Sequence, residues 1–438
     1  MNNLSFDDEG DVSPSSDPSH QLGVAFAPSQ SSLARTGLTR RKALAGSASL
    51  FFAAAVPRWA SAATRDPRLV VIVLRGALDG LATVAPVGDP DFARQRGALA
   101  LQAGGDKPAL PLDALFALNP AMPTFKKLYD SRQALFVQAV ATPYRDRSHF
   151  DGQDVLESGQ PGPGLTRDGW LNRFLGALPR GSTRASGEGL GVGATTPLIL
   201  RGAAPVLGWS PQKLVPASDD LSARLLDLYG QRDTALQKAL YEGLRVDVMA
   251  RESGMGNDQK PKGGADSPAG MRQAAAGAAR LMRASDGPRI AALSFEGWDT
   301  HANEGPLGGR LSQLLGGLDG ALDELQSGLG DVWGETIVVA VTEFGRTVRI
   351  NGTSGADHGT GTLALLSGGA VKGGRGVYDW PGLADAKLYQ NRDLMPTTDL
   401  RAALKGVLAD HFDAPEGVLA SAVFPDSVAV KPVRGLVA

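Results

Sequence analysis

The sequence contains no cysteine. That excludes disulfides, thiolate metal sites and cysteine nucleophiles. Aromatic residues make up only 6% of the chain, so the 42% apolar content that supplies a core is largely aliphatic. Charge of one sign is also missing: 44 basic residues face 46 acidic ones, for a net charge of −2. No basic stripe dominates, which argues against a nucleic-acid footprint. Beyond residue 63 no apolar run approaches the roughly 20 residues that span a bilayer, so no stable membrane span is expected. There is no internal repeat.

What is present is glycine, 56 residues of it, in a chain of 438. That length suits two or three average domains or one large α/β domain. Residues 1–35 are rich in Ser, Pro and Asp, lack a hydrophobic period and read as disordered. Thr39-Arg40-Arg41-Lys42 then precede ALAGSASLFFAAAV (43–56), Pro57 and Ala60-Ser61-Ala62. A charged region, a short apolar region and an A-x-A site make an export signal, and the adjacent arginines make it a twin-arginine signal. Such a signal implies passage through the twin-arginine translocase and a periplasmic or secreted destination. The expectation is therefore a signal-bearing segment 1–63 followed by one α/β domain over 64–438. The polar, low-complexity stretch at about 254–270 reads as a flexible surface loop.

The chain is organised around Phe295–Gly361. Apolar, β-branched runs at 68–74, 134–140, 289–295 and 336–341 have the pattern of strands buried on both faces. A loop with candidate chemistry follows each: Asp79 after the first, Ser148 and His149 after the second, Asp299 and His301 after the third, Glu343 and Arg346 after the fourth. Asp357 and His358 sit in a glycine-rich loop just beyond. An open α/β sheet places its chemistry at the carboxyl ends of its strands. Between them, leucines at 307, 311, 314, 315, 318, 322, 325 and 329 keep the spacing of one buried helix face.

Histidines and carboxylates without cysteine suit a divalent ion such as zinc, manganese or magnesium. One ion would use Asp299, His301 and His358, and a second Asp79 and Glu343, with Asp357 a further candidate. Two ions together stabilise the attacking and leaving oxygens of an in-line displacement. Arg346 suits a bidentate clamp on phosphate or sulfate oxygens. Ser148, with Asp151 three residues on, fits a helix cap or a nucleophile at a helix start. His149 fits a base, a metal ligand or a packed residue. Plainer readings stand beside these: Asp299 as a helix cap, His301 as a satisfied loop histidine, Glu343 and Arg346 as a local ion pair.

The segments DRSHFDGQDVLESG, DGWLNRFL, GWDTHANEG, TEFGRT and GADHGTG, behind a twin-arginine signal, resemble an exported bacterial family, domain of unknown function family 1501. The resemblance spans about residues 67–425. That family is similar to the alkaline phosphatase and sulfatase superfamily. The resemblance implies a three-layer α/β/α sandwich with a mostly parallel central sheet and, usually, two metals. It implies Asp79 as the first-strand acid, Asp299 and His301 as the middle pair and His358 as the late histidine. Its nucleophile position falls on His149, with Ser148 one place earlier. Where that superfamily has Ser-Asp-His-Gly, this chain has Thr342-Glu343-Phe344-Gly345, and Phe344 cannot bind a metal. The function implied is an exported, metal-dependent hydrolase acting on a small anionic phosphate or sulfate ester. The alternative is a non-catalytic exported binding or assembly protein on the same fold, working with a second exported protein.

Overall fold

Arg68–Leu74 (β1) is buried along its whole length. Its side chains alternate between two cores, Val70, Ile72 and Leu74 entering one and Leu69, Val71 and Val73 the other, as the period of two in a strand requires. A strand with no polar face must be covered on both sides, and the rest of the chain supplies the covers. The computed structural model describes residues 65–179, 189–211, 219–252 and 264–438. The signal-like segment, and the expected flexible loop up to residue 263, lie outside them. All described residues belong to one contact unit, Val56–Ala438.

Eight further strands complete the main sheet: Ala134–Ala141 (β2), Gly189–Val192 (β3), Val206–Trp209 (β4), Ile290–Phe295 (β5), Thr336–Val341 (β6), Thr362–Ser367 (β7), Arg375–Val377 (β8) and Thr398–Asp399 (β9). Their order is β8-β2-β7-β6-β1-β5-β3-β4, with β9 also on β2. β1 runs parallel to β5, with Leu69 opposite Ile290, and parallel to β6, with Leu69 opposite Ile337. Only β7 reverses direction, antiparallel to both β2 and β6. The carboxyl ends of β1, β2, β5 and β6 therefore share one edge with the amino end of β7.

One face carries Pro123–Asp130 (α1), Pro268–Arg283 (α6) and Arg310–Leu329 (α7). The other carries His149–Ser158 (α2), Trp170–Ala177 (α3) and Leu400–His411 (α8). This is the three-layer sandwich with a mostly parallel sheet. Asp219–Arg232 (α4) and Thr234–Glu252 (α5) form a helical pair, of which Val246 and Ala250 reach the first core. Ser267 caps α6 by accepting from the Gly270 N–H, and Pro268 opens it, so the end of the expected loop is the first turn of a helix. The leucine stripe is core as expected, except that Leu307 precedes α7 and is only partly buried. Truncating one of its members, such as Leu318→Ala, costs roughly 2–5 kcal/mol.

α1 starts at Pro123; just before it, the Asn119 amide donates to the carbonyls of Ala82 and Pro306. The C-terminal tail is tucked in. Leu436 and Val437 join the core, and the buried Lys405 ammonium donates to the carbonyls of Ser427 and Val430.

Candidate metal centre

Three side chains meet above the shared strand edge. His149 opens α2, Asp299 follows β5 and His358 precedes β7. The ligating atoms available on these three residues lie within 4.8 Å of one another. The Nε2 atoms of His149 and His358 are 2.9 Å apart. They stand 3.5 and 3.4 Å from the two Asp299 carboxylate oxygens.

The far side of each ring explains this orientation. His149 Nδ1 faces Glu343 Oε1 at 2.8 Å, and His358 Nδ1 faces the Arg147 carbonyl at 3.0 Å. Both partners only accept, so each Nδ1 carries the proton. In neutral rings both Nε2 lone pairs then converge with Asp299 on one point. That is unfavourable unless a cation or a proton occupies it. Two imidazole nitrogens and one carboxylate are a common donor set for a divalent ion with an open position, so these residues fit the group. A proton on His149 is the other way to satisfy the pair: the hydrogen bond that its Nδ1–H donates to Glu343 raises the His149 pKa, while burial lowers that of His358.

The second ligand set expected from the sequence is not assembled. Glu343 is fully buried and both its oxygens are taken. Oε1 accepts from Gly76 N–H (2.9 Å), His149 and Gln153, and Oε2 accepts from the Thr342 hydroxyl. Burial pushes its pKa up, but these donors outweigh it and hold the carboxyl below its usual range. Glu343 thus orients His149, in the way that carboxylates behind metal-bound histidines commonly do. Asp79 accepts from the Ala82 N–H and pairs with the buried Arg96. The Asp357 carboxylate is exposed and held by Asn351. His301 stands beside the group, with Nδ1 2.7 Å from Asp299 Oδ1 and its ring centroid 4.6 Å from that of His358.

Arg346 is not free to clamp an ester. Its Nε donates to the Ala77 carbonyl and its Nη2 to those of Gly76 and Trp298. Its Nη1 donates to the Ala356 carbonyl, and Nη2 also pairs with Asp299. It stitches together the loops after β1 and β5 and before β7. Burial raises the Asp299 pKa, but Arg346 outweighs it and keeps the carboxylate charged. Ser148 holds the cap position of α2 without capping a helix N–H. Asp151, its expected partner, accepts from the Tyr144 hydroxyl instead. Phe344 is buried and stacks on His149 with centroids 5.0 Å apart, walling one side of the pair.

The backbone is bent to serve these contacts. Ala77 (φ 61°) and Arg147 (φ 62°) sit in the left-handed region, which non-glycine residues rarely adopt without compensation. In each case the displaced carbonyl is used, by Arg346 and by His358. Gly76 has φ 119°, and a Cβ there would lie 2.5 Å from the Asp299 nitrogen, so only glycine allows this approach. Sequence reasoning missed Gln153 and Thr342 as the holders of Glu343. The position of Gln153 one helical turn after His149 was the available signal.

The model of a family described as "Protein of unknown function (DUF1501)" matches residues 132–421. No curated protein matches the chain. Among solved structures it is similar to Ps i-CgsB in complex with k-i-k-neocarrahexaose, at 12% identity and a TM-score of 0.41, covering 84% of this chain and 77% of that one. It is also similar to alkaline phosphatase from the Antarctic bacterium TAB5, at 12% identity and a TM-score of 0.31, covering 72% and 95%. A third is phosphonoacetate hydrolase from Sinorhizobium meliloti 1021, at 13% identity and a TM-score of 0.31, covering 66% and 60%. Scores this low carry no argument about chemistry, which rests on the chain's own residues.

Proposed function

We propose that this chain, which belongs to the DUF1501 family, is an exported hydrolase of phosphate or sulfate esters with a single divalent cation held by His149, Asp299 and His358. The observation that carries the reading is the 2.9 Å approach of two imidazole Nε2 atoms whose Nδ1 protons are committed elsewhere. When bound, a divalent cation supplies Lewis acidity and lowers the pKa of a coordinated water. The chain's own residues do the rest. Glu343 keeps the His149 lone pair aimed inward, and Arg346 keeps Asp299 ionised. Phe344 shields one flank, while Asp299, 42% exposed at its side chain, leaves the other open to an incoming ester. The ester class follows the motif resemblance to phosphatases and sulfatases. Export follows the twin-arginine segment; among the described residues no helix is long and apolar enough to cross a membrane.

One observation favours a second reading, an exported binding or assembly protein that works with another exported protein. Every Arg346 nitrogen donates within the fold, so the expected oxyanion clamp is absent. Elemental analysis of protein purified without chelator, paired with a phosphate- and sulfate-ester screen, separates the two. About one equivalent of metal with turnover supports the hydrolase. A folded, metal-free protein that takes up neither zinc nor manganese removes it.

A further inference from the structure

Asp393 lies outside every segment that the sequence singled out, yet it is fully buried. Its Oδ2 accepts from Arg147 Nε at 2.9 Å, Arg147 Nη2 at 2.7 Å and the Thr360 hydroxyl at 2.8 Å. Its Oδ1 accepts from Arg392 Nε at 2.9 Å. These partners bracket the ligands: Arg147 is two residues before His149, and Thr360 is two after His358. Arg392 also reaches back, donating from Nη2 to the His358 carbonyl at 2.8 Å.

Arg147 is the link that matters. Its left-handed backbone turns its carbonyl onto His358 Nδ1. A residue with a Cβ avoids that conformation unless something holds it. Here the side chain is anchored along the Nε–Nη2 edge of its guanidinium, by Asp393 and by Gln390. If the anchor is removed, the carbonyl is free to turn away. His358 can then move its proton to Nε2, where it points at His149 and removes a ligating lone pair.

We propose that Asp393 is a positioning residue that sets the ligating tautomer of His358 by holding Arg147. The proposal rests on the reading of His149, Asp299 and His358 as metal ligands, and the test separates the two. The chain has five histidines, so 15N-histidine labelling gives a spectrum simple enough to assign tautomers in metal-free protein. The wild type should show His358 protonated at Nδ1, and D393N and R147A should each populate the Nε2–H form. Cobalt(II) titration should show each variant binding about 10–100-fold more weakly, the usual effect of losing a partner behind a ligand. Because both act through one link, the double variant D393N/R147A should bind no more weakly than the weaker single variant. Unchanged tautomers with affinities within about twofold of wild type would overturn the proposal, as would losses that multiply in the double variant. If the wild type binds no cobalt(II), the metal reading fails, while the tautomers still decide the role of Asp393. If D393N does not fold, R147A carries the test, since it leaves the bonds of Asp393 to Thr360 and Arg392 in place.

Discussion

The Nε2 atoms of His149 and His358 face each other at 2.9 Å while both Nδ1 atoms are turned onto acceptors. This pairing, rather than the tight Asp299-x-His301 spacing, defines the centre. His149→Ala and His358→Ala should each lower zinc affinity by at least about 100-fold, because each removes one of the three protein ligands proposed. His301→Ala should retain stoichiometric zinc, since its ring contacts Asp299 from outside the group. Competitive zinc titration checks all three. Loss of metal in the His301 variant would return that residue to the ligand set.

Glu343 should behave as a residue that orients a ligand. Glu343→Gln keeps an oxygen able to accept from His149 Nδ1 but removes the charge. Zinc affinity should fall about 10–100-fold, with stoichiometry unchanged at saturation. Complete loss of zinc, equal to that of His149→Ala, would instead place Glu343 on the metal.

Arg346→Lys distinguishes a stitch from a clamp. Lysine keeps the charge but has a single ammonium, where the guanidinium now serves four carbonyls and Asp299. Each buried carbonyl left unpaired costs roughly 1–3 kcal/mol, so the variant should melt well below the wild type before any substrate is added. A variant with wild-type stability that loses only turnover would restore the oxyanion role.

The sheet was legible because a doubly buried strand leaves an unmistakable run such as RLVVIVL, and the carboxyl-end rule then named the loops that share one sheet edge. Sequence could not show which side chain in each loop turns inward. That depends on backbone bends at Ala77 and Arg147, which carry no glycine signal. It also depends on long-range partners: Asp79 looked like a strand-end ligand until Arg96, which sits on a separate segment, claimed it. Asp393 was invisible for the same reason, since its partners come from segments more than thirty residues away as well as from its neighbour Arg392.

His411 offers a test of the fold that is independent of the centre. It closes α8 and is almost fully buried, with Nε2 against the Arg68 carbonyl at the start of β1. Burial is the main cause that pushes its pKa down, from 6.5 to about 4. The folded protein therefore holds this ring neutral over a range where the unfolded chain protonates it. Its contribution is fully present above about pH 6.5 and is lost as pH falls through that value towards 4. A shift of this size amounts to roughly 3 kcal/mol across the window. His411→Gln, which cannot charge, should lower stability at pH 8 but flatten its decline between pH 6.5 and 4. Urea unfolding at pH 8, 6 and 4.5 reads this directly. Parallel pH profiles for the variant and the wild type would mean that His411 does not titrate abnormally, and that the acid sensitivity of the fold lies elsewhere.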